Sequence, residues 1–271
     1  MANEATRFFQ SIDPSAEIGD GCELGFGAVI EAGARLGPGC HVGHHAVIEA
    51  GARLGPGCHV GHHAVIHAGV QLGANCRVED HAVLGRQPRP APTSTVKVPS
   101  ALPPLTIGDE TSIGTGAVVY TGTTIGRQCL VGDLAFVREQ VQIGDRVIVG
   151  THVTIENAVS IGDNVKMQTG AYITAWTTIE ADCFIAPCVV TTNDNYMGRT
   201  ERRFAERGGA VIRRGARVGA NVTLLPNVEV GAEAFVAAGS VVSRSVPPAT
   251  LAMGSPAKPR RAVPEEEFVG R

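Results

Sequence analysis

One period, of six residues, runs through the chain. Ile12, Ile18, Leu24, Ile30, Leu36, Val42, Ile48, Leu54, Val60, Ile66, Leu72, Val78 and Leu84 follow one another six apart without a slip. The spacing resumes at Ile107, continues through Ile113, Val119, Ile125 and onward to Ile185, and returns from Ile212 to Val242. An amphipathic helix repeats near 3.6 and a long strand at 2, so neither produces it. A short strand followed by a turn does. Four positions after each aliphatic stands a small residue, as at Ala16, Cys22, Ala28, Ala34, Cys40 and Ala46, and Gly, Asp or Asn supply the dihedrals the bends require. Three hexads close one triangular coil of 18 residues. Residues 31–48, EAGARLGPGCHVGHHAVI, are repeated letter for letter at 49–66, which duplicates a whole coil. The expected fold class is all-β, a parallel β-helix of about eleven coils stacked at ~4.8 Å over roughly 50 Å.

Composition agrees with slim coils. Gly 34 and Pro 16 make up roughly a fifth of the 271 residues, against an average of about 12 per cent. Phe, Tyr and Trp together contribute 4 per cent, so no aromatic-centred core is available. The 44 per cent hydrophobic content and mean hydropathy of +0.09 exclude disorder, and no apolar run approaches the ~20 residues of a membrane span. A net charge of −3 and a pI near 6.3 exclude a general nucleic-acid surface, which needs a concentrated basic face. The start, MANEATRFFQ, has no leader pattern, so a cytoplasmic protein with free thiols is expected.

The pattern divides the chain into N-terminal coils at 1–84, a proline-rich loop at 85–106, a second β-helix at 107–262 interrupted by a charged loop at 192–211, and a tail at 263–271. Loops that leave a regular solenoid usually carry function. The loop at 192–211, TNDNYMGRTERRFAERGGAV, is the better candidate for touching substrate.

Several motifs invite chemistry and have plainer readings. Cys22, Cys40, Cys58 and Cys76 recur every 18 residues; a metal or disulfide ladder is conceivable, but all four occupy the small-residue position, which reads as packing. Eight of the nine histidines lie between His41 and His81. The segment GHHAVIHAG, with His62 and His67, resembles the metal-binding segment of γ-class carbonic anhydrases, where imidazoles hold zinc. The duplicated copy carries Glu49 in place of His67, and the histidines read rather as a solvent-facing ladder with no metal. Gly25-Phe26-Gly27 and Gly37-Pro38-Gly39 lack the strand and helix a phosphate loop needs. They are turn glycines.

The segment VAAGSVVSRSVPPATLAMGSPAKPRR at 236–261 resembles the end of hexapeptide-repeat acyltransferases. CLVGDLAFVREQVQIGDRVIVGTHVTIEN at 129–157 and YITAWTTIEADCFIAPCVVTTNDNYMGRTERRF at 172–204 are similar to the branch that acetylates nucleotide-linked 3-amino sugars. That resemblance implies a left-handed β-helix, acetyl-CoA as co-substrate, a dTDP- or UDP-linked 3-amino-deoxy sugar as acceptor, and a homotrimer with sites between subunits. It also implies that Gly239, Ser240, Lys258 and Arg260, with Arg261, hold the coenzyme, the basic residues facing its phosphates. Asn157 takes the role of orienting the amine, with Glu139 one coil earlier on the same column. His152 is the one histidine of the C-terminal body and the alternative base. On the charged loop Arg199, Arg202 and Arg203 are assigned to the nucleotide diphosphate and Asn195 and Tyr196 to the acceptor. Two other readings stay open: a zinc enzyme of carbonic anhydrase type, and a β-helical scaffold without catalysis.

Overall fold

The computed structural model describes residues 11–95 and 98–270. Residues 1–10, the start of the N-terminal coil segment on which the reading of a leader falls, lie outside the described residues. So does Arg271, the last residue of the tail. The described chain forms two compact units that divide between Gln140 and Val141, each a left-handed parallel β-helix of hexapeptide repeats.

Each hexad forms a strand of two residues and a turn. In the N-terminal unit one face is built from Ser11–Ile12, Val29–Ile30, Val47–Ile48, Val65–Ile66, Val83–Arg86, Val118–Tyr120 and Phe136–Val137, in that order. The pairing is parallel with a register of 18, Val47 opposite Val65 and Ile48 opposite Ile66. Backbone N–H groups donate to the next coil, Val47 to Ala64 at 2.9 Å and Glu49 to Ile66 at 2.8 Å, so the repeat satisfies its own polar backbone. The second residue of each strand points inward: Ile48, Ile66 and Leu84 are fully buried, and so are the small residues Ala46, Ala64 and Ala82. Cys40, Cys58 and Cys76 share that small position, each thiol donating to a glycine carbonyl of the following coil at 3.1–3.2 Å. In other coils the same position is filled by Val70, Val147 and Val153, also buried. Where Gly37 passes the next coil, a Cβ would meet the backbone nitrogen of Pro56 at 2.6 Å.

The proline-rich insertion leaves the register intact. Leu72 pairs with Ile107 and Val78 with Ile113, as if the segment between were absent. Leu105 is already buried in the core, so the coil resumes just before the strand Thr106–Ile107.

In the C-terminal unit the corresponding face runs through Thr154–Ile155, Tyr172–Ile173, Val190–Thr191, Thr223–Leu224 and Val241–Val242. The charged insertion again preserves register, Ile179 pairing with Ile212 and Ile185 with Val218. It contains one helical turn, α1 (Arg203–Glu206). At the end, Thr250–Met253 joins the sheet beside Phe235–Val236, and Lys258–Ala262 folds back on it antiparallel.

Candidate functional site

Two positions after an inward aliphatic the coil turns and its side chain normally faces solvent, as at His44, Ala50 and Asp133. Asn157 occupies that position after Ile155 and is only 9% exposed. Its carbonyl oxygen accepts from Trp176 N–H at 3.4 Å. The interior beside it is hydroxylic. Thr191 stands where the period places an aliphatic, and its Oγ1 accepts from Thr174 N–H at 2.7 Å and lies 3.4 Å from Thr177 Oγ1. All three threonines are buried. A break in the aliphatic column at 191, six after Ile185, was the sequence signal for this cluster.

The charged loop closes over the same unit. Trp176 sits at a corner with φ +66°, and the Arg207 guanidinium lies 4.6 Å from its ring centroid. Gly209 passes so close to the Trp176–Thr177 backbone that a Cβ would not fit. A cleft of about 540 Å³ opens between coil and loop, lined by Tyr172, Thr174, Thr192, Asn193, Asp194 and Asn195 among others. Asn195 is one of the residues lining this cleft. Backbone N–H groups of Tyr196 and Gly198 and the Arg203 guanidinium hold the Asp194 carboxyl below the usual carboxylate range.

Other expected loop residues are placed differently. The Tyr196 hydroxyl donates to Glu206 at 2.5 Å, which pushes its pKa up, and Arg202 lies over its ring at 5.7 Å. Arg202 itself pairs with Glu206 at 2.5 Å, and Arg203 pairs with Asp194 at 3.4 Å. These three groups hold the loop together. The Arg199 side chain is exposed.

His152 occupies the turn before the strand Thr154–Ile155, exposed and with φ +57°, and Asn157 the turn after it. The two side chains belong to successive corners of one coil. Glu139 belongs to the N-terminal unit and is 1% exposed, clamped by Arg138 through Nη2–Oε1 at 2.9 Å and Nε–Oε2 at 3.1 Å.

At the C-terminal end Gly239 forms a corner at φ +69° with open space above its Cα. Ser240 points inward, 1% exposed. Its hydroxyl donates to Ala237 O at 2.7 Å and accepts from Gly254 N–H at 3.1 Å, so it ties the tail to the last coil. Lys258 and Arg260 are exposed on the Lys258–Ala262 strand, and Arg261 donates to the Ala262 carbonyl.

The histidines form the ladder their spacing suggests. His45, His63 and His81 stack at centroid separations of 5.2 and 5.1 Å, as do His41 with His59 and His44 with His62 at 4.9 Å. Among the described residues no group of three or more His, Cys, Asp or Glu is arranged to hold a metal ion.

A model of the bacterial transferase hexapeptide (six repeats) matches residues 15–50, 51–86, 122–157 and 209–244. A model of the hexapeptide repeat of succinyl-transferase matches 104–132 and 140–175. The chain is similar to serine acetyltransferase of Buchnera aphidicola, 37% identical over 90 residues, covering 33% of this chain and 31% of that protein. It is also similar to the bifunctional protein GlmU of Rubrobacter xylanophilus, 39% identical over 74 residues, covering 27% and 14%. The chain thus spans less than a third of the length of these curated relatives. Among solved structures, an Arabidopsis UDP-N-acetylglucosamine acyltransferase superposes with a TM-score of 0.50 over 94% of this chain and 73% of that one at 18% identity, a likeness of fold.

Proposed function

The chain belongs to the bacterial hexapeptide-repeat transferase family, and from that membership we propose that it is an acetyl-CoA-dependent N-acetyltransferase acting on a nucleotide-linked 3-amino-deoxy sugar. The matched relatives with named activities are acetyl- and acyltransferases. One observation carries the choice of an amine over a hydroxyl acceptor. His152, the one histidine of the C-terminal unit, stands on an exposed turn with no group orienting its ring, among the described residues. A hydroxyl acceptor needs a positioned base. A neutral amine needs alignment and a stabilised oxyanion.

Acetyl-CoA supplies an activated carbonyl and a thiol leaving group. The exposed cations Lys258 and Arg260 suit its phosphates. Gly239 contributes an unobstructed corner and Ser240 the anchorage of that tail. Asn157, neutral and nearly buried, holds the acceptor amine through its carboxamide oxygen and so fixes the lone pair toward the carbonyl. As the C–N bond forms and the C–S bond breaks, the proton lost by nitrogen passes to the departing sulfur. The Asn193–Asp194–Asn195 side of the cleft takes the sugar hydroxyls, and Arg199 the diphosphate. Tyr196 sets the loop's shape. Glu139 and its Arg138 clamp support the corresponding turn of the N-terminal unit.

The exposed apolar groups Tyr172, Phe184 and Val190 of the C-terminal unit support a homotrimer, which would cover them. All seven cysteines are free thiols, as a reducing cytoplasm keeps them. The test is thiol release from acetyl-CoA with a panel of dTDP- and UDP-linked amino sugars. Turnover with a 3-amino sugar and none with its 3-hydroxy counterpart is the expected result; silence with every amine overturns the reading.

A further inference from the structure

A second cleft, of about 520 Å³, lies in the N-terminal unit and is lined by Glu49, His67, Val83, Arg86, Gln87 and Arg89. It arises where the duplicated repeat ends. Glu31 and Glu49 occupy equivalent places in successive coils, each accepting from the backbone N–H of the next coil, Ala50 or Ala68, at 3.0 Å. In the third coil the place is taken by His67, whose Nδ1 lies 2.9 Å from Glu49 Oε1. Both Glu49 oxygens are therefore engaged, each with one partner.

The arginines come from the point where the chain leaves the coil. Gly85, at φ +81°, forms a bulge in the strand Val83–Arg86, and its Cα lies against His67, where a Cβ would stand 3.2 Å from His67 Cβ. Arg86 is fixed beyond the bulge. Its carbonyl accepts from Thr121 N–H at 3.1 Å, and its guanidinium lies 5.5 Å from the Tyr120 centroid. Arg89 stands between Pro88 and Pro90, which restrict the backbone on either side. Neither arginine pairs with a carboxylate among the described residues.

We propose that this cleft is an anion site that binds the phosphate groups of a phosphorylated small molecule, with Arg86 and Arg89 as its principal ligands and His67, oriented by Glu49, as the third. Two guanidinium groups against one carboxylate leave a positive excess, and guanidinium matches phosphate oxygens in bidentate fashion. The volume suits a small metabolite. The site does not depend on acyl transfer and involves none of the residues assigned to it.

Isothermal titration of the full chain with inorganic pyrophosphate and with UDP tests it. Saturable binding is expected, weakened at least about tenfold, or about 1.4 kcal/mol, in Arg89→Gln and in Arg86→Gln, and retained both in the Lys258→Gln/Arg260→Gln double variant and in Arg199→Gln, which removes the diphosphate contact of the acceptor cleft. Equal affinities for the two probes assign the site to phosphate alone, and tighter UDP binding to a nucleotide. Arg89→Gln is the safer variant, since its side chain is exposed and an unchanged melting curve certifies its fold. No saturable binding of either probe, wild-type affinity in the arginine variants, or loss only in the Lys258/Arg260 variant overturns the proposal.

Discussion

Asn157 is a polar residue buried at a position that usually faces solvent, and its proposed role on the acceptor amine makes it the residue whose loss should affect rate more than stability. Asn157→Ala is expected to lower kcat by about 100-fold, the scale of removing one positioned polar group, with a melting temperature close to wild type. His152→Ala should stay within about twofold of wild type, because an exposed, unoriented imidazole does not act as an efficient base. Coenzyme A release at saturating acceptor measures both, and a collapse of rate in the histidine variant would move the chemistry to hydroxyl acylation. Thiol chemistry gives an independent check at this scale. Cys188 is exposed, whereas Cys40, Cys58, Cys76, Cys129 and Cys183 are buried, and burial pushes the Cys183 pKa up to about 12. In native protein an aromatic disulfide reagent should label Cys188 rapidly and these five only on unfolding; rapid reaction of several would mean the corner thiols are open.

At the scale of the element, His59, one rung of the histidine ladder, makes the N-terminal coils sensitive to acid. Burial, then the neighbouring charges of His41 and Arg77, hold the His59 imidazole below its ordinary value of 6.5. The folded state thus binds that proton less readily than the unfolded chain. Its stability contribution is complete above about pH 6.5 and is lost as pH falls. The Nδ1 atoms of His44 and His62 accept the backbone N–H groups of Phe26 and His44 at 2.8 Å. Between pH 7.5 and 5.5 the melting temperature should fall, and fall less in His59→Gln. A flat profile would remove the ladder from the stability account. Inside the C-terminal unit, Thr191→Val strands the Thr174 N–H and should cost about 1–3 kcal/mol, read from the denaturation midpoint. Gly37→Ala should destabilise the N-terminal coils, since its new methyl meets backbone and not a yielding side chain.

For the whole molecule, sedimentation equilibrium is expected to give about three times the 28.1 kDa chain mass, and a monomer mass would remove the proposed trimer. The fold was legible because it is local in sequence. Six residues specify one strand and one turn, and repetition multiplies the signal, so the aliphatic columns, both insertions and the small corners could all be read from spacing. Ser240 was not legible as such: the resemblance assigns it to the coenzyme, whereas it stands four after Val236, in the same small position as Ala46 and Cys40, and its buried hydroxyl is spent on Ala237 O and Gly254 N–H. The loops follow no repeat, and there the sequence supplied residue types without partners. Tyr196 and Arg202 looked available to a ligand until the chain brought Glu206 to both. Trp176 and Arg207 lie 31 residues apart, and only the return of the loop stacks them. By itself the sequence determined the coil, its register and which side chains face inward, because those depend on neighbours at fixed short spacing. Only the tertiary structure decided which charges are spent on one another and which stay open to a ligand, because that choice depends on segments that no period relates.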